Sequence, residues 1–191
     1  MKQTQEKILK AATKLFSEDG YNGVSTKRIA KEAGVNEITI FRHFNTKSEL
    51  LQAVIRDFAY EGNIINKIKG DLTGNIKEDL YIFGDVYYMF LKNNIKMYKI
   101  QIKEMSEDGE KFTNSIEYVN FMKAYLQEEV KKGTFKGDPQ MLASGLVAMI
   151  IGIFTFKVYN PDIYKEVSHK KIMKRFVDDI ITLYCNTEET V

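Results

Sequence analysis

Between residues 25 and 44 the apolar positions recur at spacings of three and four in two short runs separated by one glycine. Ile29, Ala30 and Ala33 share a face in the first run, and Ile40, Phe41 and Phe44 are expected to share an inward face in the second, which predicts two short helices. Ser25 stands where an N-cap belongs. Gly34 suits the left-handed residue that ends a helix, Val35 is placed to plug the core, and Asn36 can cap the helix that follows. Asn36, Glu37, Thr39, Arg42 and His43 then fall largely on the outside. A row of hydrogen-bonding groups on one helix is what a DNA major groove admits, although many αα-hairpins share the bare plan.

The same periodicity runs through the rest of the chain, which predicts an all-α protein of about nine helices. The first spans about Thr4 to Glu18, with Ile8, Leu9, Ala12, Leu15 and Phe16 as its buried stripe. After the two-helix unit, Asn45-Thr46 starts a fourth helix whose Leu50, Leu51, Val54, Ile55 and Phe58 run on toward Ile68. Gly70 to Asn75 is the clearest break. Five more helices are expected at about Ile76–Lys92, Asn94–Met105, Phe112–Lys132, Asp138–Val158 and Ser168–Cys185. The pattern divides the chain into residues 1–46 and a larger helical domain, 47–191, with the fourth helix belonging to both and offering a route for coupling.

Met141 to Phe156 is sixteen residues without a charge, short of the roughly 20 that a spanning helix needs. Burial on both sides, against its own domain and a partner, explains such a helix better. Gly145, Ala148 and Gly152 lie near one face of it, where small residues let another helix approach closely. A dimer seam is the favoured reading, with Phe176 and Ile180 of the last helix supplying the other half; completion of a monomer core is the alternative.

Composition narrows the class without deciding it. With 44% apolar residues in 191, the chain can bury a substantial core. A single cysteine, Cys185, excludes an intramolecular disulfide framework and is expected to be a buried inert thiol; with the polar N-terminus it favours the cytoplasm. Residues 1–50 hold nine Lys/Arg against six Asp/Glu, so the net +2 of the whole chain is concentrated there. The excess is too small to carry nucleic-acid binding by charge alone.

Gly20-Tyr21, Ser25-Thr26, Ile29 through Val35, Thr39-Ile40-Phe41, His43-Phe44, and Lys47 with Glu49-Leu50-Leu51 together resemble the N-terminal domain of TetR-type transcriptional repressors, over roughly residues 6–55. The resemblance implies a helix-turn-helix regulator with a larger helical ligand-binding domain, dimerising through its last two helices. It places Thr26, Lys27, Arg28, Asn45 and Lys47 on phosphates, adds His43 as a phosphate contact, and makes Asn36, Thr39 and Arg42 the foremost base readers, with Glu37 beside them. The sequence departs from the family at Phe41, where tyrosine is usual, and at Glu37-Ile38.

The implied partners are a palindromic DNA duplex, a second copy of the chain and a small effector. Seven of eight methionines lie beyond residue 88, and Phe83, Tyr87, Phe90, Tyr125 and Phe154 fall on mainly apolar faces, which suits an apolar or amphipathic ligand. No membrane partner, metal or cofactor is expected. His43 and His169 have no second histidine or cysteine at helical spacing, and pairs such as Glu128-Glu129 point apart, so an enzyme is unsupported. A helical interaction module without DNA binding is the other rival class.

Overall fold

The computed structural model describes residues 2–60, 64–103, 113–166 and 168–185. Among them the chain forms α1 (Lys2–Asp19), α2 (Thr26–Ala33), α3 (Glu37–Phe44), α4 (Lys47–Tyr60), α5 (Ile64–Asp71), α6 (Ile76–Asn93), α7 (Ile95–Lys103), α8 (Thr113–Lys132), α9 (Pro139–Tyr159), α10 (Pro161–Tyr164) and α11 (His169–Tyr184). The all-α expectation holds. Eleven helices replace nine for two reasons: the helix expected to run to Ile68 is described as α4 and α5, and Pro161, at the first position of a helix, starts the short α10. The side chain of Phe58, and Met105 and Phe112, lie outside the described residues.

The helices fall into two units, α1–α4 with α7, and α5, α6 and α8–α11. In the first, α1 supplies Ile8, Ala12, Leu15 and Phe16 to a core closed by Ile29, Ile40, Phe44, Leu50 and Val54, and by Met97 and Ile100 of α7. α7 is tied to the end of α1, where the Lys103 ammonium donates to the carbonyls of Ser17 (3.1 Å) and Glu18 (2.5 Å). A cation suits a helix C-terminus, where carbonyls lack helical partners.

In the second unit α6 packs against α5, α9 and α11, and α8 against α9. The expected break before α6 is held by one carboxylate. Asp79, fully buried, accepts from the Thr73 amide (2.7 Å) and hydroxyl (3.0 Å), the Gly74 amide (3.1 Å) and the Tyr125 hydroxyl (2.8 Å). Four donors offset the removal of its charge from water. α9 is 21 residues, longer than the uncharged run inside it, and is long and apolar enough by length and composition to cross a membrane. It packs on α8, α6 and α10, with Ala143, Leu146, Val147, Ile150, Ile153 and Phe154 buried.

Candidate nucleic-acid interface

Local chemistry sets α2 and α3. The Ser25 side chain accepts from the Arg28 amide (3.2 Å) to start α2, and Gly34, at φ +68°, ends it while the Val35 amide returns to the Ala30 carbonyl (3.0 Å). Asn36 then caps α3, its side-chain oxygen accepting from the Ile38 amide (3.0 Å). Ile40 and Phe44 anchor α3 in the core, fully and almost fully buried. The two helices are also bonded at their starts, where the Thr26 hydroxyl donates to the Glu37 carboxylate (2.6 Å). Their first turns, each with amides lacking helical partners, suit phosphate.

The structure places the expected contact residues unevenly. Lys27 and Arg42 are exposed, and Thr39 and His43 half-buried on α3. Arg28 is paired with Asp19 (2.6 Å). Asn45 ends α3 at φ +52° and donates to the Glu49 carboxylate (2.9 Å). The Lys47 ammonium lies 4.1 Å from the centre of the Tyr21 ring and donates to the Tyr21 carbonyl (2.5 Å). Arg28, Asn45 and Lys47 thus brace the unit by internal contacts, and Asn36 and Glu37 have an oxygen each already engaged.

One expectation about this helix is corrected. Phe41 does not point inward; it is 43% exposed, and Ile38 is 67% exposed. Ile40 and Phe44, four apart, define the buried direction, and at 100° per residue Phe41 sits at the edge of that arc while Ile38 sits opposite it. The sequence reading grouped Phe41 with the core because it is apolar. A helical wheel centred on Ile40 and Phe44 separates them.

The residues expected to line an effector pocket are in the second unit, and most are packed on one another. Phe83 is fully buried, Tyr87 and Phe154 nearly so, while Phe90 and Tyr125 are half-buried. Tyr87 stacks on Tyr118 (ring centres 4.6 Å apart), Phe83 lies against Tyr125 (5.3 Å), and Phe154 meets Tyr88 edge-on (5.7 Å). Each buried hydroxyl has a protein partner. Tyr87 shares a hydrogen bond with Ser115 (2.7 Å), Tyr118 donates to the Phe83 carbonyl (2.5 Å), and Tyr125 donates to Asp79. Burial pushes the Tyr118 and Tyr125 hydroxyls above their ordinary range, with Asp79 adding to the effect at Tyr125, so both stay protonated donors. Open space lies elsewhere in this unit. A groove of about 580 Å³ between α6 and α11 has Tyr81, Ile82 and Val177 on its walls and Lys77, Lys170, Lys171 and Lys174 around it.

On α9, Gly145 and Ala148 are exposed and Gly152 is half-buried, and nothing lies within 4 Å of where a β-carbon would stand at either glycine. Met141, Phe156 and, on α11, Leu183 are exposed apolar neighbours in the sequence of these two helices. Phe176 is half-buried, whereas Ile180 is only 4% exposed and packs inside its own chain. Cys185, half-buried, has its thiol pushed up chiefly by burial and then by Glu129, which keeps it protonated and unreactive.

Residues 8–54, which carry this helix-turn-helix, match the family of bacterial regulatory proteins designated tetR. This segment is a helix-turn-helix domain of the tetR type. The chain's relatives extend the likeness to nearly full length: it is 28% identical over 180 residues to the uncharacterized HTH-type transcriptional regulator YvkB of Bacillus subtilis, covering 91% of this chain and 93% of that one. An HTH-type transcriptional regulator of Staphylococcus aureus is 26% identical over 185 residues, covering 94% and 95%. Among solved structures, the transcriptional regulator FadR of Bacillus subtilis, in complex with stearoyl-CoA, superposes with a TM-score of 0.71 at 20% identity over 93% of this chain and 97% of that one, a likeness of fold. Both relatives are HTH-type transcriptional regulators, and residues 8–54 give this chain a DNA-binding domain of the tetR type.

Proposed function

We propose that this protein is a TetR-family repressor that binds a palindromic operator as a homodimer and is released by a small amphipathic ligand. The observation that carries the reading is α3: anchored inward by Ile40 and Phe44, it turns Arg42 outward beside Thr39 and His43, on a helix whose first turn is braced against α2. A two-fold dimer presents two such helices to two half-sites one helical turn apart, which is why the operator is palindromic. Residues 1–46 serve as the DNA-reading part and 47–191 as the effector and dimerisation part. Thr26, Lys27, Arg28, His43, Asn45 and Lys47 hold the module on phosphates; Asn36, Glu37, Thr39 and Arg42 face base edges. The protein acts in the cytoplasm, without catalysis and without a membrane partner.

The dimer forms through α9 and α11. Gly145, Ala148 and Gly152 leave space for a partner helix, with Phe176 beside them and Ile180 supporting the seam from within. Gly152→Glu places a charge near its symmetry mate in an apolar seam, and sedimentation should then show monomer.

The α6–α11 groove suits the effector better than the ring cluster, because its apolar walls accept a hydrocarbon or aromatic body. Lys170 and Lys171 are exposed at its edge and suit an anionic head group. Release follows from population shift: a ligand that fits one conformation better withdraws the dimer from DNA by no more than that preference. Selection of bound duplexes from random DNA at fixed salt, then a screen of amphiphiles for loss of that binding, tests the whole reading. Recovery of a motif without two-fold symmetry overturns the operator assignment.

A further inference from the structure

Two isoleucines two residues apart on α3 have opposite environments: Ile40 is fully buried and Ile38 is 67% exposed. We propose that Ile38 is a base reader, its side chain packing on the C5 methyl of a thymine in each operator half-site. The inference rests on the reading of α3 as the recognition helix and adds the base that its first turn selects.

Position comes first. Ile38 is the second residue of α3, and in helix-turn-helix proteins the N-terminal residues of the second helix meet the base edges. It lies four residues before Arg42, so the two share the outward face opposite Ile40 and Phe44. Part of the polar capacity at this turn is already engaged. The Asn36 side-chain oxygen holds the Ile38 amide, and a Glu37 carboxylate oxygen holds the Thr26 hydroxyl. What the first turn presents outward at position 38 is hydrocarbon.

A major groove offers hydrogen-bond donors and acceptors everywhere and one apolar group, the thymine methyl. An isoleucine cannot pair with the first kind and buries surface against the second. Its surroundings select DNA over a second copy of the chain, because exposed Lys27 and Arg42 make the face cationic as well as partly apolar, with Phe41 the single further exposed apolar side chain on α3 among the described residues. The contact favours thymine over cytosine at the same place through the methyl group, in addition to whatever the hydrogen-bonding residues of this helix read.

The test uses the full chain and a duplex obtained by selection, with each thymine replaced singly by deoxyuridine, which removes the methyl and keeps the pairing. One position per half-site should bind about three- to fivefold more weakly, the factor that burial of one methyl group supplies. Ile38→Ala should weaken the thymine duplex to the level of the deoxyuridine duplex and abolish the difference, Ile38→Val should keep part of it, and thermal melting should be unchanged because the side chain is exposed. A wild-type protein indifferent to deoxyuridine at every thymine overturns the proposal and leaves α3 a recognition helix. So does a difference that survives Ile38→Ala and disappears in Phe41→Ala. A chain that selects no duplex overturns the recognition-helix reading as well.

Discussion

The outer face of α3 and the ring cluster around Tyr118 use apolar side chains in opposite ways. In the cluster, aromatic rings are buried and every buried hydroxyl is bonded to a protein group; on α3, Ile38 and Phe41 stand in solvent beside Arg42. Both regions come from runs with the same helical spacing. Apolar periodicity therefore marks which faces pack only when a helix has one apolar face, and an apolar residue outside that face is a candidate for recognition.

The sharpest way to separate the two is truncation. Phe83→Ala, in the centre of the cluster, should lower unfolding free energy by about 3–5 kcal/mol in urea titration, whereas Phe41→Ala should cost under about 1 kcal/mol and alter DNA binding instead. Equal losses at both positions would erase the contrast. Arg42→Ala should next relax discrimination at one base position per half-site by about 1–3 kcal/mol, read by repeating the selection with the variant, and should leave stability alone.

Tyr87→Phe probes the cluster at the level of one hydroxyl. The Ser115 hydroxyl loses its partner, so about 1 kcal/mol of stability should go, with induction by the effector unchanged. If induction changes and stability does not, the cluster binds ligand after all. On the DNA side, Lys47→Ala should reduce the slope of log affinity against log salt by at most about 0.9, and by less to the extent that Tyr21 retains the ammonium.

The smallest effect is a pH dependence in the second unit. His169 stacks on Tyr88 with ring centres 3.8 Å apart, and its Nε2 lies 3.1 Å from the Asp85 carboxylate. Burial lowers its pKa, and Asp85 opposes this without reversing it. The unfolded chain, titrating near 6.5, then binds more protons in the window just below that value, so this contribution is present above about pH 6.5 and is lost as pH falls. His169→Asn should flatten the melting temperature between pH 7 and pH 5.5.

Caps and breaks were the legible part of the fold. Ser25, Gly34 and Asn36 act where their chemistry says they should, because each satisfies backbone groups a few residues away. The helix-turn-helix was legible for the same reason. Its contact residues were less so: the pairing of Arg28 with Asp19, or of Lys47 with Tyr21, depends on chain segments brought together by folding. The aromatic residues at 83, 87 and 125 were correctly seen as apolar-facing, yet the partners that close the space between them, Tyr118, Ser115 and Asp79, lie up to 46 residues away in sequence. The groove between α6 and α11 depends on a pairing of helices that no local pattern specifies.

At one point of that pairing a side chain is missing. A β-carbon on Gly84 would collide with the Met173 side chain, so α6 and α11 meet with a thioether filling the notch where another residue's β-carbon would stand. Met173 is 1% exposed, so the same close approach that joins the two helices also shields its thioether from oxidants.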